Sequence, residues 1–364
     1  EGLMVSRFPA SAQDYRQLAQ ARLPRFLFDY IDGGASQEQT LRANADAWTR
    51  VGLRQRVLVD VDGVETTTYL AGQACAMPLV LAPLGLAGMM ARRGEVQAAR
   101  AAEAAGVPFT VSTVGICPLD EIGPAVAQAP WFQLYMLRDR GIVQALLRQA
   151  WEAGCRVLVF TVDLPVAGMR HRDTRNGLGG GGLRARLLKA GDLLGHPRWL
   201  WDVGVRGKPH LFGNLGALLP GVRDLDGFKA WVDTQFDPSV TWADIDWLRA
   251  QWPGSLRLKG VLDEEDAREA VRAGAQGLVV SNHGGRQLDG VAATAVKLPA
   301  IVRAVGGQAQ VLVDGGIGSG VDVLRALGLG AQGVLIGRPW IWALAAGGEA
   351  ALAGMLARWQ EELR

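Results

Sequence analysis

The stretch 281–290, Ser-Asn-His-Gly-Gly-Arg-Gln-Leu-Asp-Gly, places a base and a guanidinium close together in the chain. His283 is one of only four histidines in 364 residues, and an imidazole can exchange a proton near neutral pH. Arg286 can bind a carboxylate through two parallel hydrogen bonds, and the two glycines before it let the backbone approach a ligand closely. An ordinary polar loop is the alternative interpretation. The combination favours catalysis on an acidic substrate.

The apolar run 277–280, directly before this stretch, has the length and branched residues of a buried parallel strand. Similar runs recur after Pro78, each followed by a turn and an alanine- or leucine-rich helix. Strands that alternate with helices in this way indicate a parallel sheet, and eight such units predict an α/β fold of the (β/α)8 TIM-barrel type. The predicted strands are 79–82, 108–112, 131–136, 157–163, 256–260, 277–282, 310–315 and 333–338.

Polar or glycine-rich residues end six of these strands, and barrels of this type carry their active sites at the carboxyl ends of the strands. Tyr135 and Lys259, taken singly, could equally be core or surface residues. Their occurrence together with the other strand ends predicts a single site. The residues at these ends are Ala82, Pro83, Ser112, Gln133, Tyr135, Thr161, Asp163 and Lys259.

The last two strands lead into a different kind of loop. The segment Asp314-Gly315-Gly316-Ile317-Gly318-Ser319-Gly320 enters a helix, and Gly337-Arg338 follows the final strand. Loops at these positions frequently bind phosphate, because glycine turns and a helix N-terminus expose N–H donors to an anion. The glycine spacing does not match GxGxxG, so a mononucleotide is predicted rather than a dinucleotide.

Composition narrows the class of protein. A net charge of +2 argues against a nucleic-acid partner, which would need a concentrated basic face. Cys75, Cys117 and Cys155 show no CxxC spacing, so we expect buried thiols in a reducing compartment and no metal site. We find no secretory leader and no uncharged apolar run of the roughly 20 residues that a spanning helix needs.

One long interruption, 177–247, separates the fourth and fifth strands. It opens with a glycine-rich hinge and continues with a short basic amphipathic helix, followed by Trp199 and Trp201. Such a segment can lie on an anionic membrane surface, and a lid or a subunit contact is the alternative. Its basic residues are Arg184, Arg186, Lys189, Arg198, Arg206 and Lys208.

The residues before the barrel, 1–77, are predicted to form a helical cap on a single domain that spans 1–364. A helix is expected from Ser11, and a second within 23–35 has Pro24 in its first turn and a glycine stop. On pattern alone, Tyr30 in this second helix is a core aromatic residue.

From about Ser11 to the C-terminal helix the chain resembles the FMN-dependent α-hydroxy acid dehydrogenases and oxidases. The resemblance is strongest in the stretch 281–290 and in the N-terminal motif Leu-Pro…Asp-Tyr…Gly-Ala. It implies FMN as cofactor and oxidation of a 2-hydroxy acid, and a homotetramer is expected. The family's FMN contacts fall on Ala82, Pro83, Ser112, Gln133, Thr161, Lys259, Asp314, Gly315, Gly316, Gly337 and Arg338.

The resemblance also implies roles in substrate binding and catalysis. His283 is the base with Asp163 beside it, Lys259 stabilises reduced FMN, and Tyr135 lies at the reaction centre. Tyr30, Arg170 and Arg286 bind the substrate carboxylate. The chain departs from the family at Gly318, where arginine is usual, so backbone donors and Arg338 are expected to hold the phosphate.

Within the family, the chain is most similar to bacterial membrane-associated L-lactate dehydrogenases that pass electrons to quinone, and next to mandelate dehydrogenase. Gly85 supports a dehydrogenase, because oxidases tend to have alanine there. Val114 and Ala167 are small enough to admit a substrate larger than lactate. A soluble oxidase that uses oxygen is the alternative enzyme, and a phosphate-binding scaffold or barrel isomerase is the alternative from another class. The expected location is the cytoplasmic face of the bacterial inner membrane.

Overall fold

A computed structural model describes residues 8–177, 182–219 and 231–364, with the backbone alone for 183–186. Its centre is a parallel sheet whose strand order follows the chain order, with the last strand beside the first. A parallel bridge between Leu81 and Phe109 closes the ring. The predicted (β/α)8 barrel is therefore confirmed.

Two short strands, β1 (Thr68–Leu70) and β2 (Gln73–Cys75), precede the barrel as an antiparallel hairpin. The strands of the barrel lie at the predicted positions and end one or two residues earlier in most cases, where the polar residues turn out of the sheet. They are β3 (Leu79–Leu81), β4 (Thr110–Ser112), β5 (Trp131–Tyr135), β6 (Val157–Thr161), β7 (Ser255–Val261), β8 (Gly277–Val280), β9 (Gln310–Val313) and β10 (Gly333–Ile336).

The hairpin closes the amino end of the barrel. Trp131 donates its indole N–H to the Gln73 side chain, and the Gln310 side chain bonds both the Ala71 amide and the Tyr69 carbonyl. Leu70 completes an apolar cluster inside the ring. The predicted helical cap over 1–77 is thus incomplete, because its last part is a sheet that plugs the barrel.

Three N-terminal helices come before the hairpin: α1 (Ala12–Arg22), α2 (Arg25–Asp32) and α3 (Gln39–Thr49). The Ser11 side chain caps α1 in a capping box with Asp14, as its position before the helix suggests. The third helix lies over the carboxyl end of the barrel, where the Trp48 indole donates to the carbonyl of Gly315. These helices cover the end at which the predicted site lies.

Helices around the barrel follow or precede the strands in the usual alternation. They are Ala87–Met90, Gly94–Ala104, Leu119–Ile122, Arg140–Glu152, Ala243–Gln251, Glu264–Arg272, Thr294–Val305, Gly320–Gly328 and Arg338–Glu362. Cys75, Cys117 and Cys155 are free thiols and all three are buried, as expected.

The final helix, Arg338–Glu362, is the one helix in the described ranges that is long and apolar enough to cross a membrane by length and composition. Half of its most apolar window is buried within the protein. It packs against α1 and against Gly94–Ala104, and its backbone is kinked at Gly347 and Gly348. We interpret it as the outer helix that completes the barrel.

The predicted insertion lies between β6 and β7. Its described helices include Leu183–Leu194, Pro197–Trp199 and Gly213–Gly216, with a π-helical turn over Leu200–Val205, and the short helix His171–Arg175 lies just before it. Trp199 is buried and donates to the carbonyl of Met89, so this tryptophan fixes the insertion to the barrel instead of facing outward. The side chains of Arg184 and Arg186 lie outside the described part.

Candidate active site

The centre of the candidate site is the pair formed by His283 and Asp163. The Nδ1 atom of His283, which follows β8, lies 2.8 Å from Oδ1 of Asp163, which follows β6, two strands away. His283 has a positive φ of 57°, a conformation that costs a residue other than glycine about 1 kcal/mol or more. The Ser281 hydroxyl accepts the His283 amide N–H at 3.0 Å and supports this turn. The predicted base thus has a strained backbone, and the hydrogen bond to Ser281 stabilises it.

Asp163 is held in its ionised form. Burial raises the pKa of its carboxyl, but the charge and hydrogen bond of His283 and the charge of Lys259 outweigh burial, and the pKa is lowered overall. A carboxylate can only accept, so the ring N–H of His283 must be on Nδ1. This tautomer leaves Nε2 of a neutral imidazole free to take a proton.

Lys259 is almost fully buried at the end of β7. Its Nζ atom lies 3.1 Å from Oδ2 of Asp314 and donates to the Ser281 hydroxyl at 3.2 Å. Burial lowers the pKa of Lys259, but Asp314 and then Asp163 raise it, and the net shift is upward. The site therefore contains a charged ammonium group. The Ser281 hydroxyl accepts hydrogen bonds from both this ammonium and the backbone amide of His283.

A row of buried polar side chains crosses the ends of β4, β5 and β6. The side-chain oxygen Oε1 of Gln133 accepts hydrogen bonds from the Ser112 hydroxyl at 3.1 Å and from the Thr113 backbone amide at 3.3 Å. Its amide group donates to the Thr161 hydroxyl at 3.0 Å. Neighbouring strands place these groups side by side, because Ser112 pairs with Gln133 in the sheet and Thr161 pairs with Lys259.

Two arginines flank Tyr30 of α2. The guanidinium carbons of Arg170 and Arg286 lie 5.4 and 5.2 Å from the centre of its ring. Arg170 is oriented by a 2.7 Å ion pair with Asp173, and Arg286 donates to the carbonyl of Gly33 at 2.7 Å. Burial, followed by repulsion from Arg170, lowers the pKa of Arg286 to about 10. Two cations beside one tyrosine ring can bind a carboxylate together.

Tyr135 lies at the end of β5 with its ring edge-on to Phe236, at 5.6 Å between centroids. Burial and the charge of Asp163 raise the pKa of its hydroxyl, so it stays protonated and can donate. The charges of Arg170 and Arg286 also act on this hydroxyl, so both arginines lie near the end of β5. Tyr30 lies beside the same two arginines, which supports its predicted contact with the substrate, and this role stays a prediction.

In the loops predicted to bind phosphate, several N–H donors already donate to groups of the protein. The amide of Gly318 donates to Asp322 at 2.9 Å, and the amide of Gly320 donates to Glu362 at 2.6 Å. Three of the five N–H groups of Arg338 donate to carbonyls, those of Asp32, Gly33 and Gly284. Arg338 and the helix N-terminus can thus offer fewer donors than expected.

The two glycines of this loop allow α3 to pack closely against it. Gly315 and Gly316 have φ values of 92° and 81°, and a Cβ on Gly316 would lie 2.5 Å from the backbone of Asn44 in α3. At the neighbouring loop after β10, Gly337 has space, with only Leu84 within 4 Å of an added Cβ. The Ala82 carbonyl, just after β3, accepts a hydrogen bond from the Trp340 indole, and Pro83 is the next residue in the chain.

A flavin fits this set of residues. The polar side chains of Gln133, Thr161 and Lys259 are buried at the carboxyl end of the barrel, and their bonds to one another and to neighbouring side chains hold them in place. Oδ1 of Asp314 and Oδ2 of Asp163 are buried without a hydrogen-bond partner. Buried polar atoms normally have hydrogen-bond partners. A bound polar ring that donates hydrogen bonds is the simplest physical account of these two unpaired oxygens.

Residues 19–364 match the model of the FMN-dependent dehydrogenase family. The chain belongs to this family. It is 51% identical over 356 residues to the L-lactate dehydrogenase of Yersinia pestis (strain Pestoides F), covering 98% of this chain and 93% of the relative. The L-lactate dehydrogenase of Yersinia pseudotuberculosis serotype O:1b (strain IP 31758) matches equally. The predicted family, the FMN cofactor and the enzyme class, an FMN-dependent dehydrogenase of L-2-hydroxy acids, are confirmed.

Two solved structures extend the comparison of the enzyme. The monotopic membrane protein (S)-mandelate dehydrogenase is 34% identical, with a TM-score of 0.91 over 98% of this chain and 94% of the other. Mandelate oxidase is 39% identical, with a TM-score of 0.83 over 98% and 93%. A dehydrogenase and an oxidase thus share this fold.

An ion-pair network that sequence reasoning missed fixes the two sides of the carboxylate site. Arg172 lies 2.8 Å from Asp32 and 2.7 Å from Glu38, and Arg16 lies 2.6 Å from the same Asp32. Burial raises the pKa of Asp32, but Arg16 and Arg172 lower it overall. The network ties α2, which carries Tyr30, to the helix that follows Arg170. The one sequence signal was the position of Arg172 in the same motif as Arg170.

Proposed function

We propose that this enzyme oxidises L-lactate to pyruvate and passes the electrons to a membrane quinone. The observation that carries the proposal is the arrangement of one base and two carboxylate-binding cations around Tyr30. Nε2 of His283 is the acceptor, and Arg170 and Arg286 are the cations. The 51% identity to an L-lactate dehydrogenase favours lactate among 2-hydroxy acids.

The oxidation removes two electrons and two protons from the substrate. Bound FMN would accept the two electrons and one of the two protons. In our proposal Arg170, Arg286 and the Tyr30 hydroxyl hold the carboxylate, and Nε2 of His283 accepts a proton while Asp163 stabilises the imidazolium. Tyr135 donates a hydrogen bond at the reaction centre, and the Lys259 ammonium offsets negative charge on the reduced cofactor.

(S)-Mandelate is the second candidate substrate. Val114 lies beside Gly85, and a Cβ on Gly85 would lie 2.8 Å from Val114 and 3.5 Å from the Tyr30 hydroxyl. Ala167 is exposed in the loop after β6. Val114 and Ala167 carry short side chains, and the names of both solved relatives contain mandelate.

Anaerobic absorbance titration distinguishes these substrates. L-Lactate, D-lactate and (S)-mandelate are added separately to the yellow enzyme, and the rate of flavin bleaching is recorded. We expect fast bleaching with L-lactate, slower bleaching with (S)-mandelate and none with D-lactate. Faster bleaching with (S)-mandelate would reverse the assignment, and no bleaching with any 2-hydroxy acid would refute it.

Quinone as electron acceptor rests on the insertion. Arg198, Arg206 and Lys208 are exposed there, near the exposed apolar side chains of Leu194 and Trp201. Basic residues near an anionic surface contribute about 1 kcal/mol each, and apolar side chains insert at the interface. The monotopic (S)-mandelate dehydrogenase is a structural relative with membrane attachment. We propose peripheral binding to the cytoplasmic face of the inner membrane.

Two measurements test this part. The enzyme should sediment with vesicles that contain anionic lipid and not with neutral ones, and a Trp201→Ser, Leu194→Ser variant should bind less. Reduced flavin should be reoxidised faster by a quinone analogue than by oxygen. Equal rates together with no vesicle binding would support a soluble oxidase. The expected homotetramer stays a prediction.

A further inference from the structure

The side chain of Gln287, directly after Arg286, joins two loops that lie far apart in the chain. Its Nε2 atom donates to the backbone carbonyls of Asp163 at 3.3 Å and Val166 at 3.0 Å. Its Oε1 atom accepts the Gly168 amide N–H at 3.3 Å. A carboxamide has two N–H donors, so both are used, and all three bonds run to the loop that follows β6. Gln287 therefore bridges the loop after β8 to the loop after β6.

Each of the two bridged loops carries part of the proposed reaction centre. The loop after β6 contains Asp163 and leads to Arg170, and the loop after β8 contains His283 and Arg286. In the sheet, β7 lies between β6 and β8, so strand pairing does not join these two loops directly. Contacts between the loops themselves therefore help to set the distance from the base to Arg170.

The two loops come close together at a glycine beside this bridge. A Cβ on Gly168 would lie 2.2 Å from the carbonyl oxygen of Arg286 and 2.9 Å from Oε1 of Gln287. A side chain at this position would push the loops apart. Gly168 lies two residues before Arg170, so a shift of this contact is passed along a short length of backbone. The bridge thus lies where a small displacement moves a carboxylate-binding arginine.

A third segment is bonded to both loops at the same place. The Ala35 N–H donates to the carbonyl of Gly285 at 2.8 Å, and the Ser36 N–H donates to the carbonyl of Met169 at 2.7 Å. These two residues follow α2, the helix that carries Tyr30. Because the segment bonds to one residue of each loop, its two hydrogen bonds depend on the spacing of the loops.

We propose that Gln287 is a positioning residue for the oxidation. Its side chain sets the spacing of the two loops, and through them the distance between His283 and the carboxylate-binding pair of Arg170 and Arg286. The inference rests on the proposed function, since it takes the roles of these three residues from there. Reacting groups must be held within about 0.5 Å, and a displacement of about 1 Å can cost about 10²-fold in rate.

Two substitutions test the bridge, and Gln310 supplies a matched control. Gln287→Met keeps the length of the side chain and removes all three hydrogen bonds, whereas Gln287→Asn keeps the carboxamide and shortens its reach by one methylene. Gln310 also bonds a backbone amide and a backbone carbonyl of a distant segment, those of Ala71 and Tyr69, but at the amino end of the barrel. Gln310→Met therefore removes a similar structural link far from the site.

Each holoenzyme is reduced anaerobically with L-lactate, and the saturating rate per bound flavin and the half-saturating concentration are recorded. We expect both Gln287 variants to lower the saturating rate by about 10–100-fold. The half-saturating concentration should rise, because the arginines are displaced together with the base. Gln310→Met should keep both native values. Circular dichroism reports folding, and Gln287→Asn carries the test if Gln287→Met does not fold.

A double substitution separates positioning from an independent contribution. In the His283→Ala background, Gln287→Met should lower the saturating rate by no more than about twofold, because the base that it positions is absent. The same 10–100-fold loss as in the native background would show that Gln287 acts independently of His283, which would overturn the proposal.

The remaining outcomes distinguish this inference from the proposed function. No bleaching of the native enzyme by any 2-hydroxy acid would overturn both. Normal bleaching of the native enzyme and slow reduction of His283→Ala, together with native kinetics in both Gln287 variants, would overturn the positioning role alone. An equal loss of rate in Gln310→Met would do the same, because it would show that any lost structural link slows the reaction.

Discussion

Arg257 and Lys259 stand two residues apart on β7 and point to the same side of the strand, into the barrel. Both side chains are almost fully buried. Lys259 contacts Asp314 and Ser281, whereas Nε and Nη1 of Arg257 have no hydrogen-bond partner and its guanidinium lies 5.6 Å from the Trp131 ring. Acidic neighbours raise the pKa of Lys259, and burial lowers the pKa of Arg257 to about 10.

The difference follows the direction of the strands. At the carboxyl end, the ammonium of Lys259 is matched by Asp314 and the imidazole of His283 by Asp163, and these groups lie at the proposed reaction centre. At the amino end, the interior is apolar and Arg257 is a charge without an anion. In this barrel, paired charges therefore lie at the carboxyl end and apolar packing dominates at the amino end. Replacing a buried cation should lower the free energy of unfolding at the carboxyl end and raise it at the amino end.

The largest expected effect is on catalysis at the carboxyl end. His283→Ala should keep FMN bound but slow anaerobic flavin reduction by about 10²–10⁴-fold, the usual contribution of a general acid–base group. Stopped-flow absorbance with L-lactate measures this rate. His196→Ala in the insertion is the matched control and should reduce at the native rate. A near-native rate for His283→Ala would remove this residue from the mechanism.

Lys259→Met should lower the free energy of unfolding by about 3–5 kcal/mol, because it leaves the Asp314 carboxylate buried without its partner. Urea unfolding of flavin-free protein separates this loss from a change in FMN affinity. Lys297→Met is the control, since Lys297 forms a partly exposed ion pair with Glu264 of similar length, 2.8 Å. Equal stability of the two variants would mean that Lys259 is not matched by Asp314 in solution.

Arg170→Met should reduce kcat/KM by about 10–150-fold, which corresponds to the roughly 1.5–3 kcal/mol of a charged hydrogen bond. KM should rise as well, because the charge binds the carboxylate in ground and transition states alike. Steady-state kinetics with L-lactate measures both constants. Arg175→Met, at an exposed position on the helix that follows Arg170, is the control. An unchanged KM would argue against a carboxylate contact.

Much of the carboxyl end could be predicted from sequence. The period of strand and helix predicts the barrel, and the rule that sites gather at the strand ends brings Gln133, Thr161, Lys259 and His283 together. Tyr30 could not be assigned by pattern, because an aromatic residue in an amphipathic helix has the same periodicity whether it faces a core or a ligand. The resemblance to the family supplied that residue.

Contacts between residues distant in sequence could not be predicted in this way. Nothing in the local sequence pairs Arg172 with Asp32, and apolar periodicity does not reveal α3 over the phosphate loop. Hydrogen bonds from Gly318 and Gly320 to carboxylates also depend on side chains elsewhere, so the expectation of free phosphate donors failed there. Such pairings are decided by tertiary packing.

The smallest predicted effect is a gain in the free energy of unfolding, and it concerns a residue at the amino end. Arg257 fits because Gly277 on the next strand lacks a side chain, and a Cβ there would lie 1.9 Å from Nη1 of Arg257. Methionine has a similar unbranched stem and no charge, so Arg257→Met should raise the free energy of unfolding by about 1–3 kcal/mol, the cost of unsatisfied buried polar groups.

Urea unfolding of the holoenzyme measures this gain, and flavin reduction by L-lactate should stay at the native rate. Arg156→Met is the matched control, because Arg156 also lies over a tryptophan ring, 3.9 Å from the centre of Trp151, but is exposed. It should change stability little, since it carries no burial cost. A loss of stability in Arg257→Met alone would show that the guanidinium has an anionic partner in solution, and the contrast between the two ends would then fail.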